Sequence, residues 1–261
     1  MINNKIGVAT SIFAEKSFDP FATIEYCKSN EISVIQHYLD PGTQNNSELI
    51  EKIASSSSDN NLQVVCHLHY SIDSPLLDYD YLSQVSKIFP NQDQKLVVIH
   101  FNEKGNIETA LKAIKLVNSF GLTVALENFY IDKTEASLPI NSKNYIELLY
   151  QASVQNLNII PLIDFPRLFI DNFSHLNPLE KTEELLRELS GFYSDIALHL
   201  IDFNNNRQAR EDWVPIGTGQ MPYKEIFKML NQYDYTINTA IIEFEKVDLA
   251  NDSLNNLSAL M

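Results

Sequence analysis

Hydrophobic and polar positions along the chain fall into short alternating runs separated by longer amphipathic stretches. The runs at residues 5–13, 32–39, 62–70 (LQVVCHLHY), 95–101 (KLVVIHF), 122–130 (LTVALENFY), 158–165 (NIIPLIDF), from Ile196 onward (IALHLIDF) and 238–245 (NTAIIEFE) each have the period-two pattern of a buried strand. Between them lie helical patterns. One is opened by the cap pair Asp19 and Pro20, and others cover residues 47–54, 79–89 and 178–189. A further helix carries Ala110, Ile114 and Val117 and stops at Gly121. The last two start near Met221 and carry Leu254, Leu257 and Leu260. Ser55 to Ser58 with Asp59, Asn60 and Asn61 reads as a polar connector too short to link domains. Strands alternating with helices imply parallel pairing, and eight such units predict a (β/α)8 TIM barrel, one domain over residues 1–261. A doubly wound open sheet would need a glycine-rich first turn, which ATSIFAEK lacks.

Charge narrows the partners. With 34 acidic against 19 basic side chains the formal net charge is -15, which repels nucleic-acid backbones and anionic membrane surfaces. A small-molecule substrate is the expected partner. Cys27 and Cys66 are too few for a disulfide framework and read as buried free thiols. No apolar run reaches the length of a membrane span, and MINNKIGVAT lacks a signal-peptide core, so a cytoplasmic location is expected.

From the third strand onward, each strand places a His, Asp or Glu at or near its carboxyl end: His67 (with His69), His100, Glu127, Asp164, His199 and Glu243. Parallel barrel strands bring all of these to one mouth, and imidazoles mixed with carboxylates are the donor set of a borderline divalent cation. Burying Glu127, Asp164 and Glu243 together without a cation would set like charges against one another.

These segments in this order resemble the xylose isomerase-like barrel superfamily, which includes ketose epimerases, dehydroshikimate dehydratases and apurinic-site nucleases. The matching pieces are CHLHY, with His67 and Tyr70, then VIHF, VALEN, LIDF, LHLIDFN with Arg207 after it, IGTGQMPYKEIFKML and IIEFE. The resemblance implies Glu127, Asp164, His199 and Glu243 as the ligands of one divalent ion (Mn, Co, Mg or Zn), with Glu127 and Glu243 also exchanging protons with substrate. His67, His100, Arg167, Arg207 and Trp213 are then the substrate-binding candidates.

The chain departs from the family pattern at three places. Arg167 stands where a histidine is usual, Lys133 stands where epimerases place a second glutamate (Glu135 being the nearest acid), and Asp212-Trp213-Val214 lacks one of the nuclease's two ligands. Missing ligands and an acidic surface weigh against a phosphodiesterase. The implied activity is a metal-dependent isomerase or epimerase, or a related lyase, removing a proton next to a carbonyl on a small sugar, polyol or hydroxy acid. The competing reading is a non-catalytic barrel that binds a metal or ligand. Arg167 cannot ligate a cation; it is expected either to pair with a neighbouring acid or to leave room for an anionic substrate group. Gly217 and Gly219 read as a turn needing positive φ.

Overall fold

The computed structural model describes residues 5–89, 92–102, 105–130, 142–169, 178–205 and 209–260. Eight parallel strands form a closed barrel: β1 (Ile6–Ala9), β2 (Val34–Leu39), β3 (Gln63–Leu68), β4 (Leu96–Asn102), β5 (Thr123–Tyr130), β6 (Ile159–Asp164), β7 (Asp195–Leu200) and β8 (Thr236–Ile242). Each strand pairs with the next in sequence, and β8 closes on β1. The long helices follow their strands in turn: α1 (Pro20–Ser29), α2 (Ser47–Asp59), α3 (Tyr79–Ser86), α4 (Ile107–Ser119), α5 (Ser142–Val154), α6 (Pro178–Leu189), α7 (Tyr223–Gln232) and α8 (Val247–Leu260). The architecture is the expected (β/α)8 TIM barrel.

The barrel interior is a small apolar cluster that includes Val34, Val65, Val98, Ala125, Leu162, Ala197 and Ile241. Side chains two apart on a strand share a face. The next inward positions toward the carboxyl ends are therefore Gln36, His67, His100, Glu127, Asp164, His199 and Glu243. An apolar plug thus floors a polar layer. On β1 the interior position is Gly7, where a Cβ would lie 2.8 Å from both Ile241 Cδ1 and Val34 Cβ, so glycine keeps the plug from overfilling.

Outside the strands a larger apolar core packs beneath the helices. Fully buried Tyr145 of α5 donates its hydroxyl to the Leu126 carbonyl (2.9 Å) and also lies 3.2 Å from the Leu162 carbonyl, joining β5 to β6 just before Glu127 and Asp164. Asp19 caps α1 as expected, accepting from the Phe21 and Ala22 amides. Cys27 and Cys66 are free and buried, and burial pushes the Cys27 thiol up to about 12. Among the described residues no helix is long and apolar enough to cross a membrane.

Several boundaries differ from the sequence reading. The first strand stops at Ala9, because Thr10–Lys16 winds into a 3-10 turn that buries Ile12. The stretch read as a polar connector is helical: α2 runs on to Asp59, with Ser57 fully buried on the face of Ile50, Ile53 and Ala54 and set 3.3 Å from His37 Nε2. The helix α5 was not delimited from sequence at all.

Candidate functional site

The polar layer is organised by Glu127, whose side chain is 1% exposed. Its two oxygens face different partners. Glu127 Oε1 accepts from Arg167 Nε (3.0 Å) and Nη2 (2.6 Å). Glu127 Oε2 lies 3.1 Å from His100 Nε2, 3.4 Å from His67 Nε2 and 3.6 Å from His199 Nδ1. Despite these neighbours it makes no well-formed hydrogen bond among the described residues.

The imidazole tautomers explain why. His67 Nδ1 lies 3.0 Å from the Leu68 carbonyl, which can only accept, so Nδ1 carries the hydrogen and Nε2 turns a lone pair toward Glu127. His199 is held in a similar way. Gln36 Nε2 donates to Glu243 Oε1 (3.1 Å), so Gln36 Oε1 is left to accept from His199 Nε2 at 3.0 Å. His199 Nδ1 then faces Glu243 Oε2 (3.3 Å) and Glu127 Oε2 with its lone pair. Lone pairs aimed at carboxylate oxygens are repulsive unless a proton or a metal ion lies between them. If it is a proton, burial works against it, but Glu243 and then Glu127 outweigh burial and push the His199 imidazole up to about 9. Burial alone would raise Glu127; the Arg167 guanidinium, with His100 and His199, overrides it and holds the carboxyl well below the usual range. His100 is shifted down, by burial against the pull of Glu127.

These donors fit a divalent cation. His67, His100 and Glu127 offer atoms that all lie within 4.8 Å of one another. A tetrahedral ion with bonds of about 2.0–2.1 Å separates its ligands by roughly 3.3 Å, close to the observed spacings to Glu127 Oε2. The backbone carbonyl behind His67 is also the usual orienting partner of a ligating imidazole.

Arg167 decides what happens to the other side of Glu127. The 3-10 turn Phe165–Phe169 starts directly after β6, and its three-residue repeat folds Arg167 back over Asp164, with Nε 2.7 Å from Oδ2. The guanidinium therefore lies between Glu127 and Asp164, paired with both. Those two carboxylates outweigh burial and raise its pKa further. Of the four ligands implied by the resemblance, Asp164 and Glu127 Oε1 are bonded to Arg167, while His199 Nδ1 lies between Glu127 Oε2 (3.6 Å) and Glu243 Oε2 (3.3 Å).

Trp213 sits in a two-residue antiparallel ribbon, Trp213–Val214 against Asp202–Phe203, with its ring 6.0 Å from Phe244. Arg207, Lys133 and Glu135 lie outside the described residues. Asp202 is a loop organiser: it accepts from the amides of Phe203, Gly217, Gly219 and Met221. Gly217 has the expected positive φ of 84°. Gly219 does not; it is glycine because a Cβ would fall 2.6 Å from the Phe203 carbonyl oxygen and closer still to Asp202.

Gln36 went unnoticed in the sequence. Its signal was an amide on the inward face of a strand otherwise buried on both sides, two residues after Val34. Tyr38 was also missed; its hydroxyl lies 2.5 Å from His69 Nδ1, and its ring is 5.8 Å from that of His67.

No protein-family model matches the chain, and no curated protein matches it in sequence. Solved structures match it over nearly their whole length. D-psicose 3-epimerase with D-tagatose from Clostridium cellulolyticum H10 superposes with a TM-score of 0.64 at 13% identity, covering 98% of each chain. The probable 3-DHS dehydratase AsbF of Bacillus anthracis gives 0.67 at 15% identity, over 97% of this chain and 98% of that one. The IOLI protein with a binding zinc atom gives 0.68 at 10% identity, over 98% and 96%. In fold, the chain is a (β/α)8 TIM barrel like these structures.

Proposed function

We propose that this barrel is a metal-dependent isomerase or epimerase, or a related lyase, that removes a proton next to a carbonyl on a small sugar, polyol or hydroxy acid. One observation carries the reading: a buried carboxylate oxygen, Glu127 Oε2, lies 3.1 Å from His100 Nε2, 3.4 Å from His67 Nε2 and 3.6 Å from His199 Nδ1 at the carboxyl-terminal mouth of the barrel, where such enzymes build their sites. Charge supports it. Glu127, Asp164 and Glu243 outnumber Arg167, and a divalent ion would take over the offsetting role that a proton on His199 otherwise fills.

Glu127, His67 and His100 would hold the ion. When bound, such an ion polarises a substrate carbonyl and makes the neighbouring C–H more acidic. The chain's own groups divide the rest of the work. Glu127 is almost fully buried and both of its oxygens face fixed partners, so it positions charge. Glu243 is 21% exposed, and its Oε1 is anchored by Gln36, which makes it the carboxylate able to take and return a substrate proton. His100 and Arg167, 19% and 16% exposed, line the approach.

The test is hydrogen exchange. The protein, loaded in turn with Mn, Co, Mg or Zn, is incubated in D2O with a panel of keto sugars and hydroxy acids. Metal-dependent deuterium uptake next to the carbonyl is the expected result. No uptake from any substrate with any of the four ions would favour the non-catalytic, ligand-binding barrel.

A further inference from the structure

Glu127 divides the mouth into two compartments. On the Oε2 side, imidazoles from β3, β4 and β7 present nitrogens at 3.1–3.6 Å, and the oxygen has no well-formed hydrogen bond among the described residues. On the Oε1 side stands the guanidinium of Arg167, bonded to Glu127 and to Asp164. Both compartments are lined by carboxylate, and each calls for positive charge.

We propose that Arg167 is a resident cation occupying the compartment between Glu127 and Asp164, so that the protein holds a single exchangeable divalent ion on the β3–β4–β5 side, with Asp164 outside its coordination sphere. Three observations argue for this. A guanidinium cannot lose its proton under any physiological condition, so its charge is permanent, unlike a bound ion's. Its Nε and Nη2 reach Glu127 Oε1 while Nε also reaches Asp164 Oδ2, so the same fork neutralises both groups. Finally, the His, Cys, Asp and Glu donors that converge among the described residues are those of His67, His100 and Glu127, and Asp164 is not one of them. The position of Arg167 is set by chain geometry, three residues after Asp164 on a 3-10 turn, rather than by a flexible loop.

The arrangement rests on reading the mouth as a divalent-cation site, and metal binding separates the two claims without using activity. Zinc or cobalt is titrated into the metal-free full-length protein, with stoichiometry and affinity read by calorimetry and elemental analysis, and the fold of each variant checked by circular dichroism. The wild type should bind one ion per chain. His100→Ala should weaken binding by more than about 100-fold, as loss of a direct ligand does, whereas Asp164→Asn, which keeps an acceptor for Arg167, should stay within about threefold of wild type. Arg167→Ala should open the second compartment and raise the stoichiometry to two, and adding Asp164→Asn to it should return the count to one. An affinity lost in Asp164→Asn but retained in His100→Ala would overturn the proposal while leaving a metal enzyme in place. A wild type that binds no ion would overturn both. Should Arg167→Ala fail to fold, the Asp164→Asn and His100→Ala pair still decides the matter.

Discussion

Gln36 and His199 meet through a 3.0 Å contact between side-chain oxygen and Nε2, across the two intervening strands β1 and β8. That contact sets which ring nitrogen of a fully buried histidine faces the two glutamates. Replacing Gln36 by Leu would leave His199 Nε2–H and Glu243 Oε1 each without a buried partner. The expected loss is about 2 kcal/mol of stability, from unsatisfied buried polar groups, read as a lower urea midpoint at unchanged slope. A midpoint equal to wild type would mean that the amide does not bridge the two groups.

Asp202 gathers four backbone amides at the exit of β7, and Gly219 leaves the space for it. Burial pushes the Asp202 pKa up, while the four donors pull it the other way. Gly219→Ala forces a methyl against the carboxylate and the Phe203 carbonyl. It should cost roughly 1–3 kcal/mol, the range for overpacking. A thermal melt decides this, and an unaltered midpoint would show that the loop shifts without penalty.

His37 lies behind the barrel on β2, fully buried beside Ser57, and burial pushes its pKa down to about 3. The unfolded chain takes up that proton near pH 6.5 and the folded chain does not, so stability is complete above about 6.5 and falls as the pH drops toward 3. Between pH 7.5 and 5.5 this amounts to about 1 kcal/mol. His37→Gln should lack that component. Denaturation curves at the two pH values would refute the assignment if wild type and variant lost stability in parallel.

The barrel was legible because each strand from β2 to β8 repeats one rule, an apolar interior residue followed two positions later by a polar one, as in Val65 and His67 or Ala197 and His199. That same rule brings the candidate residues to one mouth. Other features depended on contacts that no local pattern encodes. Ser57 looks like connector material until it is seen inside the face that meets His37. Gln36 carries no charge and cannot be told from a satisfied core amide until its two partners are known. Arg167 reads from sequence either as a binder of a substrate anion or as a partner for a neighbouring acid, because the sequence shows its distance from Asp164 but not the 3-10 turn that folds it back.

The two glutamates assigned to proton exchange by resemblance are unequal in this fold, and that gives the sharpest functional prediction. Glu127 is 1% exposed and bonded to Arg167, whereas Glu243 is 21% exposed and held at one oxygen by Gln36. Glu243→Gln keeps the shape and the hydrogen-bonding capacity toward the mouth but removes the proton acceptor. It should slow deuterium exchange into substrate by about 100- to 10,000-fold, the usual contribution of a positioned general base, while metal content stays at the wild-type level. Glu127→Gln should instead lose both exchange and the ion, because it removes the carboxylate that His67 and His100 face and leaves the Arg167 charge opposed by Asp164 alone. Measuring exchange and bound metal on the same preparations separates the two roles. If Glu243→Gln also releases the ion, Glu243 is a ligand first, and the division of labour drawn from its exposure is wrong.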